Sequence, residues 1–160
     1  MPGSGRPRVS PQLDRAQPHG FDGHLAQEPA DELCGAVQRD LDVLHDPLAG
    51  QPVSVVWPVN FVCPLGQLGY SVSFSGGNSG SPAARWMNDA LNEHLSYNLY
   101  QDAAHTIVWG DGSAGTQPYV GRGSANTNYT IDVYAYLPGG QTNVSAFQTF
   151  SDGIVATITF

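Results

Sequence analysis

The chain has 160 residues, with 14 Asp and Glu against six Arg and no Lys, which gives a formal net charge of −8. Nucleic-acid binding through phosphates needs clustered Lys and Arg, so this charge balance excludes it. No apolar run approaches the roughly 18 residues of a membrane-spanning helix. The length corresponds to one domain. Only 12% of the residues are charged, while 19 are Gly and 12 are Pro, which is typical of a secreted all-β protein.

Residues 1–33 differ in composition from the remainder of the chain. They contain five Pro and few aromatic or β-branched residues. Such a segment buries too little apolar surface to fold alone, so we expect it to be disordered or wrongly assigned. It contains no apolar run of about 7–15 residues, so no signal peptide is visible. The boundary predicted here separates this segment from a single domain over residues 34–160.

Short stretches of alternating apolar residues follow, and each predicts a strand with one buried face. The first three stretches span residues 37–43, 53–63 and 70–74. Pro58 indicates that the second is an edge strand or carries a bulge. The predicted buried positions are Val37, Leu41 and Val43, then Val53, Val55, Trp57, Val59, Phe61 and Cys63, then Tyr70, Val72 and Phe74.

The second half of the chain continues this pattern after a Gly-Ser-Asn loop at residues 76–82. By the spacing of Ala84, Met87 and Leu91, residues 84–94 fit a short helix. Residues 95–99 predict one strand, and a short strand near Thr106 leads into a Gly-Asp-Gly turn. Residues 110–126 predict a Gly-rich connection. The last two strands have their buried positions at Ile131, Val133, Ala135 and Leu137, and at Ile154, Ala156, Ile158 and Phe160.

One loop resembles the nucleophile loop of chymotrypsin-fold serine proteases. It contains Ser79, and His105 lies in a segment like the one that carries the protease histidine. In that fold the histidine precedes the serine in sequence, and here it follows. The 78 residues before Ser79 are also too few for the preceding barrel. Turn chemistry explains the loop better, and a serine hydrolase remains a remote alternative.

No cofactor or metal site is predicted. The five His have neither the spacing nor the intervening Glu of a helical metal site. Asp111, between two Gly, lacks the further acidic residues of a calcium loop, so we interpret it as a turn residue. Cys34 and Cys63 enclose 28 residues and lack the close spacing of zinc ligands. They form a disulfide if the protein is secreted, or remain buried thiols if it is cytosolic.

Several short motifs occur in a characteristic order. In chain order they are Cys34, Leu41-Asp42, His45-Asp46-Pro47-Leu48, Val59-Asn60-Phe61-Val62-Cys63, the segment from Tyr70 to Gly76, Arg85-Trp86-Met87, Tyr97-Asn98-Leu99-Tyr100, Trp109-Gly110-Asp111-Gly112 and Phe150-Ser151-Asp152-Gly153. None is specific alone. Together they resemble the spore coat protein U domain family, the secreted pilins of the archaic chaperone–usher route, over residues 34–160.

The resemblance implies an all-β, incomplete immunoglobulin-like sandwich that a donor strand completes. It implies a non-catalytic subunit of a secreted surface pilus for adhesion and biofilm formation. Its partners would be a periplasmic chaperone, an outer-membrane usher and neighbouring subunits. It also favours the Cys34–Cys63 disulfide and a strand, rather than a helix, at residues 85–87. The expected groove lies between the first and last strands, at Val37, Leu41, Val43, Ile154, Ala156, Ile158 and Phe160. The main alternative is a self-contained secreted sandwich that binds carbohydrate or forms a spore or cell coat.

The chain departs from the family pattern at two places. Val43-Leu44 replaces the usual Phe-Gly, which is a minor change. Residues 20–33 lack the alternating apolar extension that acts as a donor strand in the family. The chain as written is therefore expected to accept a strand but not to donate one. We expect its natural start to differ, because the resemblance also implies a signal peptide.

The disulfide gives the first testable prediction. Mass mapping of periplasmic protein without reduction should find one linked peptide containing Cys34 and Cys63. Closing this loop should stabilise the fold by about 3–4 kcal/mol on the chain-entropy model. Two free thiols in that preparation would contradict the prediction.

Overall fold

A computed structural model describes residues 36–45, 50–63, 69–124, 127–145 and 148–159 of the chain, with only the backbone for 36–45 and Cys63. The strands in chain order are β1 Ala36–His45, β2 Val53–Cys63, β3 Tyr70–Phe74, β4 Trp86–Asn88, β5 His94–Ser96, β6 Asn98–Tyr100, β7 Tyr119–Gly121, β8 Thr127–Leu137 and β9 Gln148–Thr159. Two 3-10 turns lie at Gly77–Ser79 and Ser113–Gly115. The predicted tail at residues 1–33 lies outside the described residues.

The strands form two antiparallel sheets. The larger sheet has the order β5-β4-β9-β3-β7, with β1 also paired to β9, and the smaller has the order β2-β8-β6. Ala156 and Thr157 of β9 pair with both β1 and β3, and Ser151 pairs with both β1 and β4. A strand has only two edges, so β1 covers one edge of β9 while β3 and β4 share the other. The protein is an all-β sandwich, as the sequence predicts.

The apolar faces of both sheets form one core. In β8 and β9 the predicted alternation is confirmed, since buried residues alternate with more exposed ones. The side chains with no exposed surface come from both sheets and from one connecting segment: Val72, Met87, Leu95, Leu99, Trp109, Val133, Leu137 and Phe150. The choice of strand over helix near residues 85–87 is also confirmed, because β4 occupies this position.

The single strand predicted over residues 95–99 is wrong. The chain instead forms β5, which pairs with β4 in the larger sheet, and β6, which pairs with β8 in the smaller one. Tyr97, Asn98 and Leu99 are all buried in succession, so the period of two breaks at this point. Burial of the polar Asn98 between two apolar residues marks the place where the chain crosses between sheets.

Two element boundaries also differ from the sequence prediction. The Gly-rich connection at residues 110–126 contains β7, which pairs with β3. The last strand begins at Gln148 rather than near Gly153, because β9 continues to pair with β1 over this stretch. The longer strand brings Phe150 and Asp152 into the core face of the sheet.

Leucine truncation tests the assignment of the core. Leu99→Ala should lower the free energy of unfolding by about 2–5 kcal/mol, because the side chain is fully buried. Leu91 is 65% exposed and provides the matched control, with an expected change below about 0.5 kcal/mol for Leu91→Ala. Urea denaturation measures the free energy of unfolding of both variants. Equal losses would contradict the burial described here.

Candidate strand-exchange site

The last strand, β9, carries the buried face expected for a strand-exchange site. Phe150, Ile154 and Ala156 are at most 1% exposed, and Ile158 is 7% exposed. These residues occupy alternate positions, so they share the core face of the sheet. Asp152 lies on the same face and is 2% exposed. The strand therefore presents four apolar residues and one buried carboxyl group toward the core.

One edge of this strand is covered by β1. Ten residue pairs join the two strands, from Ala36 opposite Thr157 to His45 opposite Gln148. The sequence prediction placed a groove between the first and last strands. The two strands instead pair directly and leave no strand position between them, which corrects that expectation for this structure. An acceptor groove at β9 therefore requires β1 to move.

The register of β1 places an apolar residue opposite the buried face of β9 at three of four positions, and a charged residue at the fourth. Val37 lies opposite Ala156 and Val43 opposite Phe150, so both ends place an apolar residue beside a buried one. Between them, Arg39 lies opposite Ile154 and Leu41 lies opposite Asp152. A charged residue thus takes the register position next to one of the most deeply buried aliphatic side chains of β9.

The other predicted site residues are placed as follows. Ile158 is buried and pairs with Val72 of β3, beyond the end of the β1 ladder. Cys63 ends β2 opposite Thr127. Cys34 and Phe160 lie outside the described residues, so the disulfide and the final groove position stay predictions.

Asp152 fixes the middle of β9 against the loops around it. Its carboxylate accepts hydrogen bonds from the Tyr97 hydroxyl at 2.6 Å and from the Asn78 backbone N–H at 2.6 Å. The Asn78 side-chain amide also donates to the Ser151 carbonyl at 3.1 Å. Gly77 lies so close that a Cβ atom there would stand 2.2 Å from the Asp152 carboxylate. Only glycine fits this approach.

Burial is the main cause of the shifted pKa values of Asp152 and Tyr97. Desolvation raises the pKa of Asp152, although hydrogen bonds from Tyr97 and Asn78 and the charge of Arg85 act in the opposite direction. Desolvation and the Asp152 charge raise the pKa of Tyr97. A raised carboxyl pKa means that the protonated form favours folding. This contribution is present at low pH and is lost as the pH rises through the raised pKa of Asp152.

A second polar group, the guanidinium of Arg85, is buried between the sheets at 1% exposure. Its Nε donates to the Ser75 carbonyl at 2.9 Å. The remaining four N–H groups also have acceptors within 3.2 Å: the carbonyls of Pro82, Phe74 and Trp109, and Asn98 Oδ1. All five donors of the guanidinium are therefore satisfied.

Arg85 remains a cation at neutral pH despite this burial. Desolvation lowers its pKa to about 10, and electrostatic interactions with Tyr97, Asp152 and Asp111 oppose that shift. The Trp109 indole N–H donates to the Val72 carbonyl at 2.7 Å and adds a further link to β3. Arg85, Tyr97, Asn98, Trp109 and Asp152 all belong to the motifs that carried the family resemblance. Their shared surroundings show that these motifs hold the sandwich together.

The protease-like loop has a structural explanation. Ser79 Oγ hydrogen-bonds within its own turn, where it lies 2.6 Å from the Gly76 carbonyl oxygen and 3.0 Å from the Ser81 carbonyl oxygen. His105 Nε2 instead lies 3.2 Å from Ser54 Oγ. The structure therefore does not bring Ser79 and His105 together as a hydrogen-bonded pair.

Asp111 behaves as the predicted turn residue. Its carboxylate accepts hydrogen bonds from the backbone N–H of Ser113 at 2.9 Å and from its hydroxyl at 2.5 Å. These bonds lower the pKa of Asp111. Within the described part of the chain, no three His, Cys, Asp or Glu side chains group as metal ligands.

A shallow cavity of about 330 Å³ lies beside the crossing point of the chain. Trp86, Tyr100 and Tyr136 line it, together with Pro138 and Asn98. Aromatic rings with nearby polar groups are the usual elements of a carbohydrate site, so this cavity is the place in the structure that the alternative binding function would use.

The fold is an all-β sandwich in which the first strand pairs with one edge of the last strand. The family model for the Spore Coat Protein U domain matches residues 34–157. The chain therefore belongs to the Spore Coat Protein U domain family, a class of surface pilin and coat proteins. No curated protein matches the chain. Among the described residues, no helix has the length and apolarity needed to cross a membrane.

Sequence reasoning missed the roles of Arg85, Asn98 and Asp152. Each stood within a quoted motif, but periodicity assigns apolar faces and gives polar residues no function. The sequence pattern did allow the burial of Asp152 to be predicted, because Asp152 lies two residues before Ile154 and therefore on the same strand face as Ile154, Ala156 and Ile158. A carboxyl at a core position of a strand predicts a buried hydrogen-bonding partner.

The Arg85 network gives a stability prediction. Arg85→Lys keeps the charge but offers three donors in place of five, so buried carbonyls lose their partners. The expected loss in the free energy of unfolding is about 3 kcal/mol or more. Arg122 is exposed, so Arg122→Lys is the control and should change it by less than about 0.5 kcal/mol. Urea midpoints that fall equally in both variants would contradict this role.

Proposed function

We propose that this chain is a non-catalytic structural subunit of a surface pilus, completed by a strand from another protein. The observation that carries the proposal is the mismatch at β9. Its core face is deeply buried and apolar except at Asp152, yet β1, which pairs with its outer edge, places Arg39 opposite Ile154. A donor strand with an apolar residue at that position would complete the sandwich better.

Donor-strand complementation uses the backbone and side chains of a strand together. Main-chain hydrogen bonds to an exposed edge provide affinity, and alternate side chains entering the core provide specificity. Covering one large apolar side chain contributes about 1.5–3 kcal/mol. Several such residues supply a substantial part of a domain's stability of about 5–15 kcal/mol. A subunit built in this way gains its final stability from its neighbour.

The partners in this proposal follow the secretion route of the family. A periplasmic chaperone supplies the first strand, an outer-membrane usher passes the subunit outward, and a neighbouring pilus subunit supplies the final strand. The Cys34–Cys63 disulfide would form in the oxidising periplasm. Surface adhesion and biofilm formation are the expected roles of the fibre.

The aromatic cavity supports a second candidate function, carbohydrate binding by the sandwich itself. Trp86, Tyr100 and Tyr136 line this cavity, where Trp86 stacks on His94 at a centroid distance of 3.8 Å and both tyrosines contact His105. A glycan array probed with the isolated chain separates the two functions. Glycan binding that Tyr136→Ala abolishes would favour this candidate, whereas the pilus proposal expects no binding by the isolated subunit.

Gene deletion in the host bacterium tests the pilus proposal directly. Electron microscopy should show loss of surface fibres, and expression of the natural chain should restore them. Ile158→Asp should fail to restore them, because it places a charge at a buried position, while Thr159→Asp at the exposed neighbouring position should succeed. Unchanged fibres in the deletion strain, or a natural chain that never copurifies with a chaperone, would contradict the proposal.

A further inference from the structure

We infer that the outer faces of the two sheets form a contact between copies of this chain, in which Arg122 of one copy binds Asp132 of a second copy. The first surface, the β2–β8 patch, consists of Val56, Pro58, Asp132 and Tyr134. The second surface, the β7 patch, consists of Ser71, Val120 and Arg122. The partner is another copy of the chain, and the contact uses neither edge of β9.

The β2–β8 patch combines an exposed carboxylate with exposed apolar surface. Asp132 is exposed between two buried neighbours in β8, so it lies on the outer face of the smaller sheet. Pro58 stands opposite Asp132, and Val56 stands opposite Tyr134. Val56 is 51% exposed. The patch therefore offers a negative charge next to an apolar side chain.

Asp132 is the acidic side chain that remains available for a partner in the described part of the chain. It has no hydrogen-bond or ion-pair partner among the described residues. The other acidic side chains described are buried or already accept hydrogen bonds within the chain: Asp89, Glu93, Asp102, Asp111 and Asp152.

The β7 patch has the opposite charge. Tyr70 is buried on the core face of β3, so the next residue, Ser71, and its register partner Val120 lie on the outer face of the larger sheet. Val120 is 73% exposed, more than any other large apolar side chain described. Arg122 directly follows β7 and is exposed, with no ion-pair partner among the described residues.

The charge balance of the chain makes this cation the favoured anchor of the contact. Each copy has a formal net charge of −8 and no Lys, so copies repel one another except where an Arg meets a carboxylate. The structure describes two Arg side chains, of which Arg85 is buried and Arg122 is exposed. A guanidinium binds a carboxylate through two parallel hydrogen bonds, which also fixes the orientation of the two copies.

The placement of the two patches determines the kind of assembly. They lie on the outer faces of different sheets, which point in opposite directions in a sandwich. Arg122 and Asp132 of one copy therefore do not pair with each other. Each copy offers one patch to the copy before it and the other patch to the copy after it, and such heterologous contacts form open rows. Between two fibres, many weak contacts of this kind act together and join the fibres side by side, a consequence that rests on the proposed function.

Zero-length crosslinking of the full chain tests the contact. Arg122→Lys keeps the positive charge and introduces the only side-chain amine, because the natural chain has no Lys. A carbodiimide then joins this amine to a carboxylate that it contacts. Isotope-labelled and unlabelled chains are mixed, so that mass mapping distinguishes links between copies from links within one copy. Asn143→Lys is the matched control, since Asn143 is exposed and lies outside both patches.

The expected product is a peptide that joins position 122 of one copy to Asp132 of another. Its yield should be at least about tenfold higher than the yield of links to Asp132 in the control, because only the first amine is held beside this carboxylate. Equal yields in the two variants overturn the inference. Links from position 122 to other carboxylates only, or no link between copies, also overturn it.

Charge reversal gives a second readout, the self-association of the isolated chain measured by light scattering. Arg122→Asp and Asp132→Arg should each weaken self-association by about fivefold, because attraction becomes repulsion. The double variant should restore it, because the two charges are then exchanged. A double variant that associates as weakly as the single variants overturns the inference.

Electron microscopy of the host bacterium separates this inference from the proposed function. Fibres of the natural chain and of the double variant should lie side by side, and fibres of Arg122→Asp should stay single. Side-by-side fibres in the single variant overturn the inference and leave the pilus proposal intact. Absence of fibres from the natural chain contradicts only the pilus proposal, because crosslinking measures the contact in the isolated chain.

Discussion

The buried guanidinium of Arg85 is the interaction on which the architecture of this sandwich depends. It hydrogen-bonds to the end of β3 at Phe74 and Ser75, to Pro82 in the following loop, to Asn98 at the crossing point and to Trp109 beyond β6. These segments belong to different sheets and loops, and a buried cation with every donor satisfied fixes their relative positions. Losing one acceptor leaves an unpaired buried group, so the arrangement resists partial change.

A rigid frame of this kind gives β9 an unusual position. One edge is bound to β3 and β4, and Asp152 ties the strand to Tyr97 and Asn78. The other edge is held by β1, which places Arg39 opposite Ile154 but apolar residues opposite Phe150, Asp152 and Ala156. Both edges of β9 are therefore paired within the chain.

The sequence was sufficient to predict the buried faces of β3, β8 and most of β9, because period-two alternation follows directly from strand geometry. It was not sufficient to predict the neighbours of each strand. The crossing between the sheets at Asn98 was not predicted, because a polar residue between Tyr97 and Leu99 is expected at an exposed position. In the structure Asn98 is buried and accepts a hydrogen bond from Arg85. The direct pairing of β1 with β9 was also not predicted. Val37, Leu41 and Val43 define one face of β1, but an alternating pattern does not show which strand lies beside it.

The central claim is that, in the assembled fibre, a strand of another protein pairs with the edge of β9 that β1 covers in the isolated chain. Cryo-electron microscopy of purified fibres tests it most directly. The account predicts that a strand of a neighbouring subunit pairs with β9 over residues 148–157. Fibres in which Ala36 to His45 of the same chain remain paired with β9 would contradict it.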